Sequence, residues 1–229
     1  RFLVDCGFFQ GSENHRNNIL FPFDPKSLDA VFLTHAHLDH SGRLPILIKH
    51  GFSGRIYCTE VTSSLTKIML LDAAKIMEED YHTQAKKAMR RAEKATEPLY
   101  TEELVIKTAN YFYNVEYNQV FKINDNVHVA FRDAGHILGS AFLEFTIQEN
   151  GEIKKIIFSG DLGNKNKPIV NDPEKPNDAD VVFIETTYAD REHRSFSETY
   201  EEFENAIHYA FSKGGNVIIP SFALERAQE

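Results

Sequence analysis

Three histidines and one aspartate fall within six residues, directly after a short apolar run. The cluster at residues 35–40 reads HAHLDH, and the apolar run at residues 30–33 reads AVFL. An apolar run with β-branched and aromatic residues predicts a buried strand, so the cluster would be held at a rigid edge. Imidazole nitrogens and carboxylate oxygens are the ligands that zinc takes in catalytic sites. The spacing therefore predicts a metal centre, because a purely structural role would leave the whole cluster without a chemical task.

Two more clusters carry residue types that bind metals, and each follows a predicted strand. Residues 133–136 (DAGH) add a fourth histidine, His136, and residues 159–163 (SGDLG) add a second carboxylate, Asp161. The neighbouring glycines let the backbone turn sharply and approach a ligand closely. Taken alone, His136 would more often be structural and Asp161 a turn residue. Loops at strand ends commonly build one site, so we expect the three clusters to converge.

The composition is that of an ordinary globular protein, with 42% hydrophobic and 26% charged residues over 229 positions. That length suits one large domain, or one domain and part of another. No apolar stretch approaches the roughly 18 residues that span a bilayer, so we expect no membrane partner. The two cysteines, Cys6 and Cys58, build no disulfide framework, and we expect a cytoplasmic setting. The net charge of −9 argues weakly against nucleic acid, although charge is local and bound metal ions are strong local cations.

Hydrophobic periodicity and turn signals predict an alternation of strands and helices. A period of about 3.6 predicts a long helix over residues 61–95, and Pro98 breaks it before a second helix starts at Thr101. Asn150-Gly151 between alternating apolar segments predicts a β-hairpin. Both ends of the chain fall within predicted elements, so we expect a piece of a longer protein. The other predicted elements are a short helix after residues 41–42, a helix at 197–212 that ends at Gly214-Gly215, and strands at 1–5, 30–34, 55–58, 127–131, 141–147, 153–158, 181–184 and 216–220.

Taken together, these motifs resemble the metallo-β-lactamase superfamily and, within it, the β-CASP branch of nucleic-acid-processing nucleases. Four superfamily motifs match, at residues 3–7 (LVDCG), 34–45 (THAHLDHSGRLP), 133–140 (DAGHILGS) and 158–163 (FSGDLG). Residues 184–188 (IETTY) resemble the acidic motif that marks the β-CASP branch, and residues 220–229 resemble the first strand–helix step of its second domain. Residues 99–103 (LYTEE) resemble RNA-cleaving members, among them the nuclease subunit of the pre-mRNA cleavage and polyadenylation factor and its prokaryotic relatives.

The resemblance implies a fold of the α/β class. This fold is a metallo-β-lactamase αββα sandwich with a helical insertion at about 61–110 and the start of a β-CASP domain. The metallo-β-lactamase domain would span residues 1–193, and the beginning of the β-CASP domain would span residues 194–229. The cluster at residues 35–40 would then lie at the edge of the sandwich, where the family builds a dinuclear zinc site.

The resemblance also implies a role for each site residue. Two Zn²⁺ ions would be held by His35, His37 and His136 on the first ion and by Asp39 and His40 on the second. Asp161 would bridge both ions, and the catalytic carboxylates would be Asp39, Asp161 and Glu185. Asp39 would also orient the attacking hydroxide. Asp5, together with Glu185, would orient imidazoles or a catalytic histidine from behind the metal ligands.

The implied activity is that of a zinc-dependent ribonuclease that hydrolyses RNA phosphodiesters through a metal-bridging hydroxide. Endonuclease cleavage would be the main mode, and 5′-exonuclease cleavage a further one. RNA would be the partner, and the protein would act as a homodimer or as a subunit of a complex. Ser221 and Arg226 flank a predicted strand-to-helix turn, a place suited to binding phosphate.

Three other functions stay open. A small-molecule (thio)ester or lactone hydrolase of the same superfamily is disfavoured by the segment at residues 220–229, which such enzymes usually lack. A DNA-processing nuclease is disfavoured by the helical insertion. A non-catalytic partner subunit would have lost metal ligands, whereas all six positions are intact here.

Two later histidines of the family match no position of this chain. One completes the second zinc, and the other acts on the leaving group. We therefore expect these 229 residues to show weak or no nuclease activity and to bind fewer than two metal ions per chain.

Overall fold

The computed structural model describes residues 1–9, 18–91, 94–191, 194–221, 224 and 227, with backbone alone at 91 and 196. It divides into two compact units, Arg1–Ile184 and Glu185–Glu229. The first unit holds two β-sheets and the helical insertion, and the described residues of the second unit include a helix.

The first sheet has four parallel strands. They lie in chain order, β1 (Phe2–Val4), β2 (Ala30–Phe32), β3 (Arg55–Thr59) and β4 (Phe112–Val115). The central strand β2 is fully buried, as the apolar run at residues 30–33 predicts. Its carboxyl end therefore delivers the histidine cluster to one edge of this sheet.

The second sheet has five strands. They lie in chain order, β5 (Val120–Asn124), β6 (Val127–Asp133), β7 (Ala141–Glu149), β8 (Glu152–Phe158) and β9 (Val181–Phe183), antiparallel except for the parallel pair β8–β9. Asn150 and Gly151 join β7 to β8 with φ angles of 52° and 84°. Positive φ at both central residues is what a tight hairpin turn requires, so the predicted hairpin is confirmed.

The two sheets pack face to face around an aromatic core. Phe32 of the first sheet meets Phe145 of the second edge-on, with ring centroids 5.0 Å apart. Phe131 and Leu143 are fully buried beside them. Each such side chain contributes about 1.5–3 kcal/mol when it is removed from water, so this layer fixes the strand ends that build the site.

Helices cover the other face of the first sheet. They are α1 (Leu38–Ser41), α2 (Leu44–Lys49), α3 (Glu60–Arg91) and α4 (Glu102–Ala109), with a 3₁₀ turn at Pro25–Ser27. Leu44 and Leu47 of α2 pack against Val31 and Ile56 of the sheet. The Thr101 hydroxyl accepts a hydrogen bond from the Leu104 amide, the N-cap that its sequence predicts. The predicted α/β class, with paired sheets and a helical insertion, is confirmed.

The second unit contains α5 (Phe196–Ser212). Ser195 and Glu198 form a reciprocal capping box at its start, and Gly214 follows its end with a φ angle of 64°. The predicted strand at residues 216–220 is wrong, because the described backbone over 215–221 pairs with no other strand of this unit. An apolar run becomes a strand only where a neighbour accepts its hydrogen bonds.

The proposed boundary at residues 193–194 stays a prediction, since residues 192 and 193 lie outside the described part. Among the helices that the structure describes, none combines the length and apolar character needed to cross a membrane.

Candidate metal centre

Three loops that follow strands of the two sheets converge, as their sequences predict. The loop after β2 carries His35–His40, the loop after β6 carries His136, and the loop after β8 carries Asp161. Backbone hydrogen bonds lock the loops together, from the Ala141 amide to the Thr34 carbonyl (2.8 Å) and from the Gly163 amide to the Ala134 carbonyl (2.9 Å). The site is therefore preorganised by the backbone.

Three ring nitrogens face one another at the centre of this edge. The Nδ1 atom of His37 lies 3.1 Å from Nε2 of His35 and 3.2 Å from Nε2 of His136. Zinc–nitrogen bonds of about 2.0–2.1 Å in a tetrahedron place ligand atoms about 3.3–3.4 Å apart. The spacing of the three nitrogens thus fits one tetrahedral cation.

Asp161 lies between two groups of histidines. Its Oδ2 atom is 3.7 Å from Nε2 of His35 and 3.6 Å from Nε2 of His136, and the ligand atoms of His35, His37, His136 and Asp161 all lie within 4.8 Å of one another. Its Oδ1 atom lies 3.2 Å from Nε2 of His40. One carboxylate therefore reaches two neighbouring positions with different oxygens.

The second position is bordered by Asp39 and His40. The Nε2 atom of His40 lies 3.9 Å from Oδ2 of Asp39, whose side chain is 47% exposed. His35, in contrast, has a fully buried side chain. The site is thus closed on the side of β2 and open toward solvent on the side of Asp39.

Asp5 orients His40 from behind. Its carboxylate accepts a hydrogen bond from Nδ1 of His40 (2.7 Å) and two from the amide and hydroxyl of Thr34 (both 2.8 Å). The φ angle of Asp5 is 57°, a region that aspartate tolerates better than most residues. Because Nδ1 of His40 donates to Asp5, its Nε2 atom is left for a cation.

Thr34 fixes the tautomer of His35 in the same way. Its hydroxyl lies 2.8 Å from Oδ2 of Asp5, to which it donates, and 3.0 Å from Nδ1 of His35, from which it accepts. The proton of His35 is then on Nδ1, and Nε2 carries a lone pair. The sequence motifs assign no separate role to Thr34, although its place directly before the histidine cluster is a signal for one.

Burial sets most protonation states of the site. It lowers the pKa of His35 well below the usual value of 6.5, and the charges of His40 and His37 lower it further. Burial is also the main cause that lowers the pKa of His37. For Asp161 burial alone would raise the pKa, but the hydrogen bond and charge of His40 lower it below the usual 3.8. Neutral imidazoles and an ionised carboxylate are the forms that bind a cation.

His40 is the exception. Burial alone would lower its pKa, but hydrogen bonds to Asp161 and Asp5, together with their negative charges, raise it to about 10. At neutral pH this imidazole therefore holds a proton unless a cation displaces it.

The other predicted site residues come after the first unit in the chain. Glu185 belongs to the second unit, where its carboxylate accepts a hydrogen bond from the Thr187 amide at 3.3 Å. Ser221 is exposed on irregular backbone, so the strand half of its predicted strand-to-helix turn is not formed. Arg226 lies outside the described residues.

Comparison with known proteins shows the family. The model of the metallo-beta-lactamase superfamily matches residues 1–220, so the chain belongs to that superfamily. Ribonuclease TTHA0252 of Thermus thermophilus is 43% identical over 100% of this chain and 48% of its own length. Transcription termination factor FttA of Methanosarcina mazei is 31% identical over 100% of this chain and 34% of its own length. The endoribonuclease YSH1 of Kluyveromyces lactis is 29% identical over 90% and 26%, respectively.

These relatives confirm the predicted resemblance to RNA-processing proteins of the β-CASP branch. The chain spans about half of the length of the first relative and about a third or less of the other two. A solved B3 metallo-β-lactamase with an active-site glutamic acid is also similar, with a TM-score of 0.42 and 16% identity over 72% of this chain and 55% of that chain.

Proposed function

We propose that this chain carries the metal centre of a zinc-dependent ribonuclease. The observation that supports this most strongly is the division of the Asp161 carboxylate between His40 on one side and His35 and His136 on the other. A bridging carboxylate between two ligand groups suits a pair of metal ions, the arrangement that phosphodiester hydrolysis uses. The names of three relatives, two ribonucleases and a termination factor, favour RNA as the substrate.

We assign each ligand from its position. The first ion would be held by His35, His37 and His136, the second by Asp39 and His40, and both by Asp161. Zinc fits this set because it takes imidazole nitrogens and carboxylate oxygens in tetrahedral geometry. When bound, the ions supply a water of lowered pKa and positive charge for the phosphodiester oxygens.

The side chains of this site then have separate tasks. Asp5 holds the ring of His40 through Nδ1, and Thr34 holds the ring of His35 in the same way. The open position of Asp39 lets its carboxylate accept a hydrogen bond from the attacking water and so orient it. As hydrolysis breaks the bond from phosphorus to the leaving oxygen, a proton is needed on that oxygen, and no described residue of this cluster is placed to give it.

The finer assignments outside the cluster are proposals of the same kind. Glu185 would orient a catalytic imidazole, and Ser221 and Arg226 would contact RNA phosphate. The metallo-β-lactamase domain would span residues 1–193, and the β-CASP domain would begin within 194–229. We expect a cytoplasmic protein that acts as a homodimer or as a subunit of an RNA-processing complex.

The test gives the full-length protein, loaded with zinc, three substrates under single-turnover conditions. Labelled single-stranded RNA should be cleaved, whereas DNA of the same sequence and a small thioester should not. His37→Ala should lower RNA cleavage about 100-fold or more, because the loss of several kcal/mol of metal stabilisation corresponds to at least that factor.

His50→Ala is the matched control. This exposed histidine follows the last residue of α2, where its Nδ1 atom lies 2.8 Å from the Ile46 carbonyl oxygen and its ring meets that of Phe21 edge-on, so its loss should leave cleavage unchanged. Cleavage of the thioester alone would favour the small-molecule hydrolase, and cleavage of DNA alone the DNA nuclease. Intact RNA with the wild-type protein, or equal rates with His37→Ala, would overturn the proposal.

A further inference from the structure

The first turn of the long helix α3 is bonded to the loop that carries His136. The hydroxyls of Thr59 and Thr62 both donate to the carbonyl oxygen of Gly139, each at 2.7 Å. Thr59 is 5% exposed and Thr62 is fully buried, so water does not compete for these bonds. Two hydroxyl donors, one at the end of β3 and one in the first turn of α3, thus satisfy one carbonyl three residues after His136.

The backbone at Gly139 lies so close to the first turn of α3 that no side chain fits between them. Gly139 has a φ angle of 81°, and a Cβ atom added there would lie 2.7 Å from the Thr62 amide nitrogen and 2.8 Å from Cβ of Val61. A glycine with positive φ is needed here both for the turn and for the approach of the two backbones. The carbonyl of Gly139 is therefore aimed at the helix by its own backbone conformation.

The same turn positions His136. The Ser140 hydroxyl accepts hydrogen bonds from the amides of His136 (3.1 Å) and Ile137 (3.2 Å), and the Ser140 carbonyl accepts one from Ala134 (3.2 Å). Gly139 directly precedes Ser140. A shift of the Gly139 carbonyl would therefore move Ser140, whose hydroxyl accepts the hydrogen bond from the His136 amide.

We propose that Thr62 is a positioning residue for the metal centre: its hydroxyl fixes the Gly139 carbonyl and, through Ser140, the place of His136. The inference rests on the proposed function, because it requires that His136 binds the metal. It goes beyond that function because it gives the helical insertion a part in the metal site. Thr62 would act through Gly139 and Ser140, which are not metal ligands.

Thr62 can be separated from a merely helical role. Thr59 caps α3, since its hydroxyl accepts a hydrogen bond from the Thr62 amide at 3.1 Å. The Thr62 hydroxyl does not cap the helix, so its removal leaves the cap and one of the two bonds to Gly139 in place. The chain also offers a control one turn further on, where the buried hydroxyl of Thr66 makes no hydrogen bond with any described residue.

The experiment titrates the 229-residue chain with Co²⁺ and follows the visible absorption of the tetrahedral ion. Thr62→Ala and Thr62→Ser differ only by the hydroxyl. Thr62→Ala should weaken Co²⁺ binding about tenfold and alter the absorption band, because outer partners of metal ligands commonly contribute this much to metal affinity. Thr62→Ser keeps the hydroxyl and should bind Co²⁺ as the wild type does. Thr66→Ala and Thr66→Ser should bind alike.

Urea unfolding with chelator present checks that each variant folds. Thr59→Ala and Thr59→Ser give a second pair, of which only the alanine variant removes the other hydrogen bond to the Gly139 carbonyl. Equal Co²⁺ affinity and equal spectra for Thr62→Ala and Thr62→Ser would overturn the inference while leaving the metal centre intact. Failure of the wild-type chain to bind Co²⁺ would overturn the proposed function, and the inference with it.

Discussion

Asp161 places its Oδ1 atom 3.2 Å from Nε2 of His40 and turns its Oδ2 atom toward the other histidines, 3.6 Å from Nε2 of His136. Both contacts depend on the turn that follows β8. Gly160, the residue before Asp161, has a φ angle of 53°, and a Cβ atom added there would lie 2.8 Å from Cβ of Thr34. The bridging position is thus set by backbone geometry as much as by the choice of aspartate.

Replacing Asp161 by asparagine should remove the ligand that the two metal positions share. Asparagine keeps one carbonyl oxygen but loses the second oxygen and the negative charge, so it cannot serve both sides. In the full-length protein, we expect metal content, measured by mass spectrometry after dialysis, to fall, and RNA cleavage to fall about 100-fold or more. Asp180→Asn changes a carboxylate that accepts a hydrogen bond from the amide of Lys155 within β8 (2.8 Å), so it should alter neither quantity. Undiminished metal content in the Asp161 variant would contradict the bridging assignment.

The proton on His40 predicts how metal affinity depends on pH. Its pKa is raised to about 10 by hydrogen bonds to Asp161 and Asp5 against the opposing effect of burial, so a cation must expel this proton at neutral pH. His35 and His37, with lowered pKa values, are already neutral there. Apparent affinity should therefore rise about tenfold per pH unit below the pKa of His40, and calorimetry in buffers of different ionisation enthalpy should show about one proton released.

Asp5→Asn is the control for that measurement. It removes the negative charge of the carboxylate that accepts a hydrogen bond from Nδ1 of His40. Asparagine also tolerates the positive φ angle of 57° at this position. The variant should release fewer protons on binding zinc at the same pH. A proton release that does not change between the two proteins would show that His40 is not the source.

Gly163 predicts a strong effect on folding because it lies where two site loops touch. A Cβ atom added there would sit 1.5 Å from the carbonyl oxygen of Gly135, and the Gly163 amide donates to the Ala134 carbonyl at 2.9 Å. Gly163→Ala should therefore lower the free energy of unfolding by about 3 kcal/mol or more, as overpacking and a displaced loop add together. Gly215→Ala adds an atom whose nearest contact is 3.6 Å away, so urea denaturation should show little change.

The histidine cluster could be predicted from sequence because it is local. Residues 35–40 supply several ligands within one loop, and the apolar run before them fixes the strand that carries the loop. His136 and Asp161 are predicted to join them because each follows a predicted strand, and the loops after β2, β6 and β8 do converge. The hairpin at Asn150 was equally local, since its turn needs only two residues of suitable backbone conformation.

The features that sequence reasoning missed depend on contacts between distant residues. Phe112–Asn114, most of β4, have no alternating pattern, and they become a strand because β3 offers a parallel partner. The run at residues 216–220 has a strand-like composition but no partner among the described residues of its unit. Thr62 has an ordinary helical sequence context, and its bond to Gly139 joins residues 77 positions apart.

The ion pair of Arg132 and Glu144 predicts a loss of stability in acid. Nε of Arg132 lies 2.9 Å from Oε2 of Glu144, whose other oxygen accepts from the amide of Asn177 at 2.9 Å. Burial alone would raise the pKa of Glu144, but the bonds from Asn177 and Arg132 lower it below the usual 4.5. A lowered pKa in the folded chain means that the stabilisation is present above about pH 4.5 and is lost as the pH falls through the folded-state pKa.

Glu144→Gln should therefore lower the free energy of unfolding by about 1.5–3 kcal/mol at neutral pH, the usual contribution of a hydrogen-bonded charge. Between about pH 6 and about pH 3 the variant should lose less stability than the wild type, because the group that titrates has been removed. Urea denaturation with chelator present measures both effects without a contribution from bound metal. Glu201→Gln, a change in an exposed carboxylate of α5, should run parallel to the wild type over the same range, and parallel curves for Glu144→Gln would contradict the assignment.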